Sequence, residues 1–234
     1  MKMDVEQFDT PRYLSALPMF SDLTQLEREN VALECKLRRL TRGAMIFRIG
    51  EKCEELHVII TGQVKLYVTS LSGQEKVIEL MGPGDSIAEA TIFLNKPHAM
   101  NAQALTDTLI MVVNKQTVFN EIARDFRFSM QMLAGISLRH HELLQDVEGY
   151  ALHNGMQRLI RYLLRDFDGE NSLHMGVFTV YLPVSKATIA SRLSLTPEYF
   201  SRVLHELEAE KLIEIDKREI RILDVHRLAT YGAH

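Results

Sequence analysis

Cysteine is scarce in this chain: Cys35 and Cys53 are the only two among 234 residues. Two cysteines cannot build a disulfide framework, and they are too few to hold an iron–sulfur cluster unaided, which takes about four ligands. Long hydrophobic runs are also missing. No uncharged apolar stretch approaches the ~18 residues of a membrane span, and Met1–Asp9 carries three acids where a secretory signal would carry basic residues. Neither sign of charge dominates, since 27 Lys and Arg face 31 Asp and Glu for a formal net charge of -4. The signatures of common catalytic sites are absent as well: no nucleophile elbow, no His-x-x-x-His pair and no glycine-rich phosphate loop. These absences exclude a membrane protein, a disulfide scaffold and the familiar hydrolases, and they predict a cytoplasmic protein that is not an enzyme. What is present is ordinary for a globular chain, 46% hydrophobic and 25% charged, with length for one large or two modest domains.

The charge divides informatively. Residues 1–153 hold 16 basic against 20 acidic side chains, and residues 154–234 hold 11 of each. Neither half is a basic tail, so any nucleic acid must be held by a local patch.

Three regions differ in rhythm. From about Ala44 to Asn114, short apolar runs alternate with turn glycines: Leu56–Ile60, Val64–Val68, Lys76–Leu80 and Thr108–Val113. Ser72-Gly73 is a hairpin turn and Gly82-Pro83-Gly84-Asp85 a strong breaker, so this block reads as an antiparallel roll or sandwich. Thr24–Leu40 reads as a helical lead-in. From Phe126 to Val147 the period changes: Phe126, Met130, Leu133, Ser137, His140, Leu144 and Val147 fall at alternating steps of four and three, the seam of a long helix with a partner. A second stripe, Met132, Ile136 and Leu143, is placed to face the β block. Gly149–Gly155 reads as a hinge. Beyond it, helices over Met156–Phe167, Ser185–Leu193 and Pro197–Glu210, a strand over Val177–Leu182, and the pair Ile213–Ile215 and Ile220–Leu223 about the turn 216–219 compose a winged helix-turn-helix. The organisation expected is residues 1–123 as a β-roll domain, 124–150 as a dimerisation helix and 151–234 as the winged helix-turn-helix domain.

The segment Ser185–Leu207 is the most specific. Ser185 can cap one helix; Ser194-Leu195-Thr196 makes a tight turn; Thr196 caps the next helix, and Pro197 occupies its first position, where a missing N–H costs nothing. Phe200, Val203, Leu204 and Leu207 form a core stripe, leaving Glu198, Tyr199, Ser201, Arg202 and His205 opposite. Such a face suits the major groove: Arg bonds guanine in a bidentate fork, Glu accepts from cytosine, and Ser adapts. Lys186 and Arg192 are placed to hold phosphates. The bland alternative is a solvated helix face. The caps, the two-helix spacing and the local balance of Lys186, Arg192 and Arg202 against Glu198 weigh against it.

These residues resemble those of the Crp/Fnr family of bacterial transcription regulators, and the resemblance covers almost the whole chain. Gly50-Glu51-Lys52, Gly62-Gln63-Val64 and Gly84-Asp85-Ser86-Ile87-Ala88-Glu89 look like the turns and central motif of its cyclic-nucleotide-binding-type roll. Glu198-Tyr199-Phe200-Ser201-Arg202 fits the Glu-x-x-Ser-Arg pattern of the Fnr branch. The resemblance implies an α+β chain with an N-terminal jelly-roll-like β-roll, a dimerisation helix and a winged helix-turn-helix. It implies a homodimer on double-stranded DNA of the form TTGAT-N4-ATCAA, with Glu198, Ser201 and Arg202 touching bases and RNA polymerase as a further partner. Ser194 departs from the glycine common at that turn.

For the effector, the family comparison points to Ala88, Glu89, His98, Leu143 and Leu144. Cyclic AMP is not expected, because the family's Gly-Glu becomes Ala88-Glu89 and its phosphate-gripping Arg-Ser becomes His98-Ala99, leaving no bidentate partner for a phosphate. An iron–sulfur sensor is not expected either, since residues 1–34 lack cysteine. Phe47–Glu51, Ser72–Lys76 and Ala88–Phe93 resemble the branch that answers nitrogen oxides in denitrifying bacteria. That resemblance implies nitric oxide detection through haem and control, as an activator, of nitrogen-oxide respiration genes. His57, His98, His140 and His141 stand as alternative haem ligands, with Cys53 a thiolate alternative. A regulator that senses another molecule, or that binds DNA without a ligand, remains the competing reading.

Overall fold

The computed structural model describes residues 8–167 and 178–231. The segment Met1–Asp9 and the expected strand start at Val177 therefore fall largely outside the described residues. The described residues form two compact units, one within residues 8–68 and 78–143, the other within residues 69–77, 144–167 and 178–231. Each is described by itself.

The first unit opens with α1 (Thr10–Ala16), α2 (Pro18–Ser21) and α3 (Gln25–Leu33). A capping box starts α3: the Thr24 hydroxyl accepts from the Glu27 N–H and the Glu27 carboxylate accepts from the Thr24 N–H. The lead-in is helical only this far. Cys35–Leu40 is strand β1, aligned antiparallel with β8 (Thr108–Asn114), because its side chains alternate between core and solvent and that edge of β8 needs a partner. The roll continues with β2 (Met45–Phe47), β3 (Glu55–Thr61), β4 (Val64–Thr69), β5 (Glu75–Met81), β6 (Ser86–Ile87), α4 (Glu89–Leu94) and β7 (Asn101–Ala104), and α5 (Lys115–Arg124) follows β8. One sheet has the order β1-β8-β3-β6 and the other β2-β7-β4-β5. The near-continuous apolar runs of β3 and β8 follow from burial on both faces. Ile110 and Val112 join Ile59, Val64 and Ile87 between the sheets, while Leu109, Met111 and Val113 join Leu56 and Val58 against Leu14, Phe20, Phe128 and Met132 of the helices.

The long helix α6 spans Phe126–Leu152, five residues beyond the expected seam. Gly149 lies inside it, so the expected hinge shrinks to His153 and Asn154. Asn154 then caps α7 (Gly155–Leu164) with a reciprocal Gln157 box. The second unit continues with β9 (Phe178–Tyr181), α8 (Lys186–Arg192), α9 (Pro197–Ala209), β10 (Ile213–Asp216), β11 (Glu219–Ile222) and α10 (Val225–Thr230), with sheet order β10-β11-β9. Leu159, Leu163, Ile189, Phe200, Leu204, Leu207 and Ile220 are fully buried and form its core.

Candidate DNA interface and effector cavity

The helix-turn-helix forms through local caps. The Ser185 hydroxyl accepts from the Thr188 N–H at 3.2 Å, and the Thr196 hydroxyl accepts from the Tyr199 N–H at 3.1 Å, with Pro197 opening α9. Between the helices, Ser194 has φ 55°. A left-handed backbone strains a residue bearing a Cβ, so Ser194→Gly is expected to raise the stability of this unit by about 1 kcal/mol. Thermal unfolding of the two proteins compares them directly, and an unchanged or lowered midpoint would refute the strain.

On α9 the stripe Phe200, Val203, Leu204 and Leu207 is buried, which turns Glu198 and Arg202 to solvent with Ser201 at the margin. The Arg202 guanidinium lies 4.8 Å from the centre of the Tyr199 ring. Tyr199 is itself packed against Gly155, where a Cβ would come within 2.6 Å of its ring. The start of α7 thereby fixes the ring beneath the arginine. Lys186 opens α8 half-exposed.

Arg192 sits differently from the expectation. It forms an ion pair with Asp146, donates to the Tyr150 hydroxyl at 2.9 Å and leaves 19% of its side chain exposed. Lys76, on the hairpin that clusters with this unit, donates to the carbonyls of Ser191 at 2.6 Å and Arg192 at 2.9 Å. Burial and the nearby Arg192 and Arg158 bring the Lys76 ammonium down to about 8. From the sequence Asp146 goes unnamed and Lys76 is placed only in a hairpin and strand run, because a contact between residues so distant in the chain leaves no periodic trace.

The residues expected for an effector occupy different settings. Ala88 packs against the two roll cores with φ 83°, in the left-handed region, as suits a position where the family has glycine. His98 is buried and stacked on Phe47 at 3.6 Å between ring centres, and burial together with the neighbouring His57 lowers its basicity. Leu143 and Leu144 are 42% and 55% exposed on α6. Glu89 lines a cavity. That cavity, of about 290 Å³, lies in the first unit between Leu17–Phe20, Val58, Gly84–Ser86 and the α6 face that carries Met132, Ile136 and Arg139.

Arg139 organises its polar end. Its Nη1 donates to the Ser86 carbonyl at 2.9 Å and lies 3.3 Å from Glu89 Oε2, and its Nε lies 3.4 Å from Glu79. The Ser86 hydroxyl donates to the other Glu89 oxygen. Burial raises the Glu89 carboxyl above its ordinary range, and the Arg139 charge opposes that shift. Arg139 follows Met132 and Ile136 at helical spacing, so the stripe that predicted a roll-facing surface was one residue short of finding it. Arg139→Leu is expected to destabilise the first unit by about 2 kcal/mol at neutral pH, because two carboxylates lose their counter-charge. Without the arginine the Glu89 pKa climbs further in the folded state, and a raised folded pKa gives stability below it that is lost as pH rises. The deficit therefore shrinks toward pH 5, and denaturant unfolding at pH 5 and 8 reads the difference. An equal deficit at both would contradict the ion pair.

His57 is buried, 3% exposed, and its Nδ1 has no hydrogen-bond partner, while its Nε2 faces Glu55 at 3.5 Å. Cys53 is buried, and burial pushes its thiol up, away from a thiolate ligand. His140 and His141 lie on the exposed surface of α6. No cluster of three or more potential metal ligands exists within one chain among the described residues. No described helix is long and apolar enough to cross a membrane.

A β-roll joined through a long helix to a winged helix-turn-helix defines a class of DNA-binding regulator. Residues 37–125 match the cyclic nucleotide-binding domain family, and residues 157–231 match the Crp-like helix-turn-helix domain family. The chain belongs to the Crp/Fnr family of transcription regulators, non-enzymatic proteins that bind DNA and act as dimers. It is 24% identical over 219 residues to the probable transcriptional regulator flp of Lacticaseibacillus casei, covering 93% of this chain and 97% of that one. The crystal structure of DNR from Pseudomonas aeruginosa is 31% identical, with 99% of this chain and 100% of that one covered and a TM-score of 0.50. FixK2 from Bradyrhizobium japonicum shares the fold at a TM-score of 0.74 with 20% identity, over 86% of this chain and 98% of that one.

Proposed function

We propose that this protein is a cytoplasmic, effector-gated transcription activator that reads TTGAT-N4-ATCAA as a dimer and recruits RNA polymerase there. The observation that carries the reading is the face of α9, where Glu198, Ser201 and Arg202 stand opposite a buried stripe and behind a capped N-terminus. Arg202 meets guanine, Glu198 accepts from cytosine, and Ser201 bonds an adjoining base edge. Thr196 and Lys186 hold phosphates. Arg192 joins them once its pair with Asp146 opens, which makes that pair a natural point for an effector to act on.

The resemblance adds a nitric oxide response through haem and control of nitrogen-oxide respiration genes. One residue favours haem: His57, whose buried Nδ1 lacks a partner. The cavity does not fit it. Its walls supply no imidazole or thiolate, and Asp85 and Glu89 would face the propionates. An effector of another kind in the Arg139–Glu89 cavity is the second reading, favoured by that same lining. Gel-shift titration of the TTGAT-N4-ATCAA duplex, with protein prepared with and without haem and with and without nitric oxide, separates the two. Binding that requires both haem and nitric oxide supports the nitrogen-oxide reading. Equal binding in every preparation removes haem and keeps the operator.

A further inference from the structure

The seam of α6 is interrupted by two polar residues, Ser137 and His140, between apolar layers at Leu133 and Leu144. The seam side chains are exposed in the single chain: Phe126 at 75%, Met130 at 47%, Leu133 at 57% and Val147 at 63%. A dimer that presents two recognition helices to one inverted repeat must run its two α6 helices side by side in the same direction about a two-fold axis. The steps of four and three then place Met130, Ser137 and Leu144 at the first core position of the heptad, and Phe126, Leu133, His140 and Val147 at the second.

In a parallel pair, a side chain at the second core position enters a hole made by four residues of the facing helix. For His140 these are the partner's Ser137, the partner's His140, the partner's His141 and the partner's Leu144. Within one chain His140 and His141 diverge by about 100°, so the two by themselves do not enclose an ion. Across the axis they converge, since each His140 faces the partner's His140 directly and the partner's His141 beside it. Helix axes about 8–10 Å apart leave each imidazole roughly half that distance to the axis, within its reach.

We infer that the dimer seam builds a metal site, with His140 and His141 from both copies surrounding one divalent cation of the cobalt, nickel, copper or zinc type. This rests on the parallel dimer described above. Neutral nitrogen donors set the selectivity. Between Leu133 and Val147 no carboxylate occupies a core or flanking heptad position, so oxygen-seeking magnesium and calcium find no ligands, whereas imidazole suits the later first-row metals. Each chain alone lacks a site, in keeping with the absence of a single-chain ligand cluster among the described residues. Apolar layers at Leu133 and Leu144 shield the ion from water. Metal binding and dimerisation therefore reinforce each other.

Cobalt(II) is the probe, because its visible absorption reports imidazole coordination. The untagged full chain is titrated with cobalt(II) while sedimentation velocity records its oligomeric state. The expected result is one ion per dimer. His140→Leu, an apolar residue suited to that core position, keeps the dimer and abolishes the absorption. His141→Gln weakens cobalt binding at least tenfold, and His226→Gln, on α10, leaves it unchanged. A dimer that takes up no cobalt, or one whose cobalt survives His140→Leu, overturns the site and leaves the dimer standing. A chain that sediments as a monomer with or without cobalt overturns both.

Discussion

Replacing Leu133 and Leu144 together with aspartate is expected to convert the dimer to monomers and to weaken binding to the inverted repeat by more than about 100-fold. Both leucines are more than half exposed in the single chain, so the substitution removes little from either core. In the dimer they form the leucine layers that bracket Ser137 and His140, and four buried carboxylates would lose hydration with no counter-charge in the seam. Affinity falls because the second half-site is engaged as an intramolecular event, an advantage of roughly 10²–10⁴ that a monomer forfeits. Sedimentation velocity and gel shift read the two effects separately. A variant that remains dimeric would show that α6 does not form the seam. A monomer with unchanged affinity would show that each chain reads its site alone.

Arg202→Ala is expected to cost about 1–3 kcal/mol of binding to the specific duplex, roughly 5- to 150-fold, and to relax discrimination at one base pair per half-site. The fold is untouched, since Arg202 is exposed and its only described contact is with the face of the Tyr199 ring. Arg202→Lys separates the two contributions of the side chain: the charge is retained, but the planar fork that pairs with guanine is lost. Lysine therefore restores affinity for random DNA without restoring the base preference. Competition with duplexes altered one base at a time measures both. An alanine variant with unchanged base preference would remove Arg202 from the readout.

Much of this was legible in the sequence for local reasons. The caps at Ser185 and Thr196, Pro197, and the stripe from Phe200 to Leu207 are fixed by neighbours a few residues apart, and α8 and α9 fall within a residue of expectation. The runs at β3, β4, β5 and β8 were visible because each is a short apolar run bounded by turn residues. What was not legible depended on distant pairing. β1 was hidden in an apparent helix because its pattern acquires meaning only opposite β8. β2, β6 and β7 are too short to show a period. The cavity was not legible for a related reason: family correspondence named Leu143 and Leu144 on α6, and the α6 residues that close the cavity are Met132, Ile136 and Arg139. Ser194 was the exception among backbone details. Its departure from glycine marked a tight turn, and the structure gives Ser194 a left-handed backbone there.

The central claim is that two copies of α9 read one inverted repeat. Its most direct test is to compare the affinity of the full chain for TTGAT-N4-ATCAA with that for the same duplex in which one half is scrambled, at one fixed salt concentration. The account predicts binding at least about 30-fold weaker to the half-scrambled duplex, as expected when one set of base contacts is lost. Equal affinity for the two duplexes would contradict it.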